Sequence, residues 1–316
     1  MKTLVIYEKD EDLDKLHEIV FFENRFDVQG KLKAPRSIYE ILPAMAGCQA
    51  VIVSGIEATL RNGIVKACID QDVNCYFIPH TGDIIIAGAK HLQSFSIPIM
   101  CARRAMPRPE YAIAKRGLDV LLAAMGLVIA SPFMLITAIA IKACDHGPVF
   151  YKQVRLTKDG KTFEILKFRS MRVDAEKDGV ARLAADHDDR ITPVGRVIRP
   201  IRLDELPQIF NILRGDMSIV GPRPERPEIA AQYEKEMPAF SLRLQVKAGL
   251  TGMAQVYGRY NTEPRDKLKM DLMYINQMSL REDLKLIFAT VKILFMPDST
   301  EGVADGKNTA MWGEGH

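Results

Sequence analysis

The densest chemistry in the chain lies between Arg190 and Arg226. Seven arginines (Arg190, Arg196, Arg199, Arg202, Arg214, Arg223, Arg226) and four carboxylates (Asp204, Glu205, Asp216, Glu225) occur there without a lysine. Arginine presents a rigid planar fork of N–H donors that matches two phosphate oxygens at once, so this composition suits a phosphate-bearing substrate. Within it, LDELPQIFNILRG predicts a helix. Asp204 stands at the N-cap position, Pro207 in the tolerated first turn, Leu206, Ile209, Phe210 and Leu213 make an apolar stripe, and Arg214-Gly215 end it. A carboxylate so placed is expected to be held ionised by the helix dipole and the arginines, available as a nucleophile or a metal ligand. Adjacent helical positions point about 100° apart, so Asp204 and Glu205 divide the work: one attacks, the other binds metal or handles a proton. The bland alternative is an ordinary cap followed by a first-turn acid; the surrounding arginines argue against it.

Other segments add cations. FEILKFRSM (Phe163–Met171) alternates as a strand, with Lys167 and Arg169 on one face, which suits a phosphate as well as it suits a solvated face. In GPRP (Gly221–Pro224), Arg223 is stiffened by a proline on each side. KAGLTGMAQVYGR (Lys247–Arg259) is glycine-punctuated and basic at both ends, compatible with a phosphate-facing loop.

What must position these groups is less ordinary. Val120–Ile141 runs for 22 residues without a charge. As a helix at about 1.5 Å per residue it reaches roughly 33 Å, enough to cross the hydrocarbon core. Two details favour a helix–break–helix that enters and leaves one leaflet instead. Ser131-Pro132 sits mid-run, where proline removes a backbone donor, and basic residues flank both ends (Lys115-Arg116 before; Lys142, Lys152 and Arg155 after). A true span and a buried core helix remain the alternatives.

Composition sets the frame. The chain has 316 residues, 47% hydrophobic and 26% charged, as expected for packed domains. Lys+Arg 43 against Asp+Glu 40 is too even to argue for nucleic acid. The five cysteines form no C-x-x-C pair and read as reduced thiols without a zinc site; the start turns acidic after six residues, unlike a signal peptide. The first eighty residues alternate strand and helix (strands at Lys2–Tyr7, Phe26–Leu32, Ala50–Ser54 and Val73–Ile78; helices at Asp10–Phe22, Arg36–Met45 and Thr59–Gln71), predicting a small parallel sheet. No glycine-rich turn follows the first strand, so the domain is expected to be structural or regulatory. A last strand is expected at Asp83–Gly88, and helices at Asp271–Leu280 and Asp283–Pro297. The predicted organisation is a Rossmann-like, degenerate α/β domain (1–90), a linker (91–114), a re-entrant membrane segment (115–145), an α-rich α+β catalytic domain (146–298) and a flexible tail (299–316).

KRGLDVLLA, GPVFYKQ, FEILKFRSM, RLDELPQIFNILRGDMSIVGPRP and LTGMAQVYGR, in this order, resemble the bacterial sugar transferases, the monotopic phosphoglycosyl transferases. The resemblance runs from about Lys115 to Pro297. It implies transfer of a sugar-1-phosphate from a UDP-sugar to undecaprenyl phosphate, releasing UMP, with Mg2+ and through a covalent phosphosugar–aspartate intermediate, as the initiating step of polysaccharide synthesis. It implies Asp204 as nucleophile in a dyad with Glu205, both near the metal. Lys167, Arg169, Arg199, Arg223 and Arg259 become substrate-binding residues, and Ser131-Pro132 the break of a re-entrant helix. It also implies attachment to membrane lipid at the inner membrane with both domains facing the cytoplasm; a homodimer is the expected assembly. Ala248 and Ala254 depart from the residues many members carry there, which leaves the sugar open. An inactive membrane-attached scaffold of the same fold is the competing reading.

Overall fold

The structure is a computed structural model that describes residues 1–17, 25–92, 99–173, 188–258 and 262–294. It divides into two compact units, Met1–His80 and Thr81–His316.

The first unit is a four-stranded parallel sheet of β1 (Lys2–Tyr7), β2 (Asp27–Lys33), β3 (Ala50–Ser54) and β4 (Asn74–Phe77) in the order β2-β1-β3-β4. Helices α1 (Asp10–His17), α2 (Ile38–Met45) and α3 (Ala58–Asp70) connect them. Strand alternation sends Leu4 and Ile6 to one face, against Ile41, Ile64 and Cys68, and Val5 and Tyr7 to the other, against Leu16. Both faces are covered, which is why β1 and β3 read as continuous apolar runs. The remainder of the expected Asp10–Phe22 helix lies outside the described residues.

In the second unit, the expected strand at Asp83–Gly88 is instead a helix, α4 (Thr81–Ala87). Only Ile84 of its three isoleucines is buried, and it packs with Leu272 and Ile275 while Asn276 Nδ2 donates to its carbonyl at 2.6 Å. A short β-branched run does not separate strand from helix; packing decides. A short antiparallel pair, β5 (Lys90–Leu92) and β6 (Ile99–Cys101), precedes one 37-residue helix, α5 (Pro109–Asp145).

α5 has two characters. Its first third is wired into the unit: Arg116 donates to the last carbonyls of a later helix, Ile212 O at 2.7 Å and Leu213 O at 2.8 Å. Asp119 accepts from Ser218 Oγ at 3.1 Å and Ile219 N–H at 3.0 Å. Asp283, 1% exposed, accepts from Tyr111 (2.8 Å), Lys115 (3.0 Å) and Tyr274 (2.7 Å). Lys115 and Arg116, which the sequence offers as flanking charges, are therefore internal braces. Beyond them a stripe of Ala123, Ala130, Met134, Thr137 and Ile141 is buried, whereas Val128, Ile129, Leu135 and Ile136 are all more than 60% exposed. The helix is long and apolar enough to cross a membrane by length and composition. Its assignment continues through Ser131-Pro132 where a break was expected. Pro132 offers no N–H to Val128 O, and Ser131 Oγ supplies the missing donor at 2.8 Å.

An antiparallel hairpin follows, β7 (Phe150–Leu156) and β8 (Thr162–Phe168), then α6 (Pro193–Ile198), α7 (Gln208–Arg214) and a parallel pair, β9 (Ser218–Val220) and β10 (Gly249–Thr251). Helices α8 (Pro227–Glu236), α9 (Met253–Tyr257), α10 (Pro264–Asn276) and α11 (Leu280–Leu294) complete the unit. α10 starts earlier than expected because Pro264 occupies its first position and Asp266 its first turn. The tail from 295 onward lies outside the described residues. Fully buried Asn211 of α7 behaves as a substitute strand edge. Its Nδ2 donates to Glu164 O at 2.8 Å and its Oδ1 accepts from Leu166 N–H at 2.9 Å, locking α7 to β8.

Two stability predictions follow from these clasps, both read by denaturant unfolding of the full chain in detergent. Asp283→Ala strands two hydroxyls and an ammonium and costs about 3–5 kcal/mol. Asn211→Ala leaves one backbone donor and one acceptor unpaired and costs about 2–4 kcal/mol.

Candidate active site

Three segments meet. β8 brings Lys167; a one-turn 3-10 segment, Leu203–Glu205, brings Asp204 and Glu205; the loop after β9 brings Arg223. The predicted single helix capped by Asp204 is corrected here: the 3-10 turn leads through Leu206 and Pro207 into α7, whose own N-cap is Pro207. Proline cannot donate, so the junction closes with tight i to i−3 bonds, Ile209 N–H to Leu206 O at 3.1 Å and Phe210 N–H to Pro207 O at 3.1 Å. Arg202 opens the turn with φ 53°, a left-handed conformation costing a non-glycine residue on the order of 1 kcal/mol.

Glu205 is the hub. Its Oε1 accepts from Lys167 Nζ at 2.7 Å and Arg223 Nη2 at 3.2 Å, and its Oε2 lies 3.9 Å from Arg202 Nη1. Burial opposes ionisation of this carboxyl, but Arg223 and Lys167 outweigh it and hold the pKa far below the usual range. Asp204 has no ion pair among the described residues. Burial pushes its carboxyl up to about 6; Lys167 and Arg199 offset this in part, and Glu205 adds to it. The expectation that dipole and arginines keep Asp204 firmly ionised is thus corrected, because the cations lie against Glu205 and desolvation dominates at Asp204. With a pKa of about 6, Asp204 is still mostly ionised at pH 7.

A narrow cleft of about 20 Å³ opens beside the hub. Arg155, Ile165 and Lys167 wall one side, Glu205 and Gln208 another, and Arg223, Pro224 and Gly249 the third. The Arg223 loop is held through its backbone: Arg243 Nη2 donates to Arg223 O at 2.9 Å and Arg155 Nη1 to Pro224 O at 3.1 Å. Arg243 is itself anchored on buried Asp271 at 2.7 Å. Beneath, Gly221 N–H donates to Thr251 O at 2.8 Å and Gly249 N–H to Pro222 O at 2.9 Å. A Cβ on Gly249 would lie 2.1 Å from Gly221 N, so only glycine permits this approach.

The remaining predicted residues go elsewhere. Arg169 lies just past the last residue of β8 and pairs with Asp145 at the end of α5, so it does not join Lys167. Arg199, the C-cap residue of α6, contributes charge to Asp204. Arg259 lies outside the described residues. Sequence reasoning counted Arg155 only as a charge flanking the apolar run and gave Gln208, Asn211, Arg243 and Asp271 no part in the site. Asn211 alone left a signal, a polar residue set between apolar ones inside α7. Among the described residues no three His, Cys, Asp or Glu side chains converge as a metal cage. Asp204 is the carboxylate free to contribute to one; both Glu205 oxygens already face cations.

The sequence pattern described as "Bacterial sugar transferase" matches residues 110–297, well over half of the chain. Among curated proteins, a UDP-N-acetylgalactosamine-undecaprenyl-phosphate N-acetylgalactosaminephosphotransferase of Aeromonas hydrophila is 43% identical over 192 residues, covering 60% of this chain and 45% of its own. UDP-glucose:undecaprenyl-phosphate glucose-1-phosphate transferases of Escherichia coli and Caulobacter vibrioides are 35% and 41% identical, covering 80% and 61% of this chain and 54% and 74% of their own. The chain spans about half the length of the first two of these relatives.

The split between the carboxyls is measurable in the ligand-free, metal-free protein. Carboxyl NMR should place the Asp204 titration near pH 6, well above its ordinary 3.8, and Lys167→Met should move it higher by removing a cation that lowers it. The folded state keeps a proton that the unfolded chain releases. The stability Asp204 contributes is therefore full below its ordinary pKa and is lost as pH rises through 6. Asp204→Asn should remove that portion of the pH dependence.

Proposed function

Because the chain belongs to the bacterial sugar transferase family, we propose that it transfers a sugar-1-phosphate from a UDP-sugar to undecaprenyl phosphate. The observation that carries this reading is the Asp204 carboxylate, without an ion pair among the described residues and next in the chain to Glu205, around which the cations of the cleft are organised. In the first step an Asp204 oxygen attacks the phosphorus bearing the sugar, the bond from that phosphorus to the bridging oxygen breaks, and UMP leaves with the electron pair. In the second, a phosphate oxygen of the lipid attacks the same phosphorus and the Asp204 carboxylate is released. Loose phosphoryl transition states need positioning and charge on the non-bridging oxygens more than covalent help, and Lys167 and Arg223 are placed to supply it. Glu205, which accepts from Lys167 and Arg223 and lies 3.9 Å from Arg202, keeps them oriented. The Asp204 carboxylate would hold an Mg2+ ion, which would supply further neutralisation of phosphate charge.

A soluble donor and a lipid acceptor using one site in turn require that site at headgroup depth. The course of α5 supports this. Its buried stripe from Ala123 to Ile141 packs on the catalytic core along its apolar length. The core also touches the helix near both ends, at Arg116 and at Asp145. A perpendicular span would drag that core, with its arginines, into the hydrocarbon. We therefore read α5 as re-entrant, bent at the Ser131-Pro132 site, on the cytoplasmic side of the inner membrane. The first unit, a degenerate Rossmann-like sheet, is read as regulatory or structural, and the assembly as a homodimer.

With purified full-length protein, Mg2+, undecaprenyl phosphate and a panel of UDP-sugars, one donor should release UMP. Asp204→Asn should lower the rate at least about a thousandfold. Retained turnover would refute the nucleophile, and silence with every donor would favour the scaffold reading. In a variant freed of its native cysteines, single cysteines introduced near positions 110 and 150 should label from the same side of intact cells. Labelling from opposite sides would establish a span.

A further inference from the structure

Of the three described cations that line the cleft, Lys167 and Arg223 have a counter-ion and Arg155 has none. Lys167, Arg202 and Arg223 share Glu205, and Arg243 holds Asp271 at 2.7 Å. Arg155, on β7, lines the same cleft, yet among the described residues no carboxylate oxygen lies within ion-pair distance of its guanidinium. Its Nη1 donates to a neutral carbonyl, Pro224 O at 3.1 Å, and its Nη2 to the amide oxygen of Gln153. Its Nε is buried and without a partner.

That arrangement is costly as it stands. A desolvated cation without an ion-pair partner, carrying one buried donor unmet, is destabilised by both the charge and the lost hydrogen bond. Burial lowers its pKa, and the nearby charges of Arg223 and Arg226 act in the same direction while Glu225 opposes them. Glu225 is in turn 3.6 Å from Arg243. An anion entering the cleft would offset the charge, and a guanidinium whose two Nη groups are already fixed would meet it with little further ordering.

We propose that Arg155 is a phosphate-binding residue of the donor site, its guanidinium charge, which no carboxylate among the described residues pairs, meeting the nucleotide diphosphate in the cleft it lines. This rests on the transferase reading above, but its test does not need turnover. The rival role is purely structural: Arg155 would hold Pro224 and act only through the neighbouring Arg223. The two separate in a double-mutant cycle.

Binding of inorganic pyrophosphate, UMP and uncharged uridine to the full-length protein in nanodiscs, measured by calorimetry, supplies the readout. Arg155→Gln should weaken pyrophosphate by about tenfold or more, the worth of one charge-assisted hydrogen bond, and leave uridine unchanged. The loss should persist in an Arg223→Gln background. Arg155→Lys, a check against misfolding, should recover part of it by restoring charge without the fork. Loss confined to the chain with Arg223 intact would mean that Arg155 merely positions the loop, and no loss in either background would overturn the proposal outright. If the wild type binds pyrophosphate through Arg155 but turns over no UDP-sugar, the transferase reading fails and this one stands.

Discussion

Two adjacent carboxyls, Asp204 and Glu205, share one electrostatic neighbourhood, and three cations settle on only one of them. Lys167, Arg202 and Arg223 converge on Glu205, which stays anionic although it is largely buried. Asp204 is left with desolvation and no ion pair among the described residues. A pair that could ionise symmetrically would gain nothing in chemistry; this one has a fixed anion that organises the cations and a neighbour whose lone pairs are uncommitted. Environments that push two pKa values apart are how one site assigns different roles to identical groups.

That asymmetry depends on placement to within a few tenths of an ångström, and the fold supplies it through buried polar clasps. Asn211 fixes α7 to β8, which sets the distance between Glu205 and Lys167. Asp271 fixes Arg243, which fixes the carbonyl of Arg223. The approach of Gly221 to Gly249 lets that loop lie on the β9–β10 pair. At the far end Arg116, Asp119 and Asp283 bind α5 into the compact unit that carries the site. Removing any clasp misplaces a charge rather than deleting one.

Much of this was legible in the sequence because it is local. Parallel strands alternating with helices, the apolar run of α5 and the arginine-rich segment around Asp204-Glu205 all declare themselves within a few residues. What escaped is what depends on distant partners. The apolar Ile84–Ile86 run became a helix because Ile84 meets α10, and no local period announces that. Strand alternation put Lys167 and Arg169 on one face, but β8 ends between them and Arg169 turns to Asp145. The cap geometry expected at Asp204 failed at Pro207, whose missing donor splits the helix into a 3-10 turn and α7. Arg155 stood out only as a flanking charge, and Arg243 and Asp271 sit in unremarkable sequence; their partners lie far along the chain, the Pro224 carbonyl 69 residues from Arg155, the Arg223 carbonyl 20 from Arg243, and the Arg243 guanidinium 28 from Asp271.

The central claim, that Asp204 itself takes up the phosphosugar, is tested most directly without any lipid acceptor. Wild-type protein mixed with its UDP-sugar and quenched within milliseconds should release UMP in a burst stoichiometric with enzyme. Intact mass should rise by one sugar phosphate, traced by peptide mapping to Asp204. UMP release that requires undecaprenyl phosphate from the first turnover, with no adduct at any time, would contradict the account.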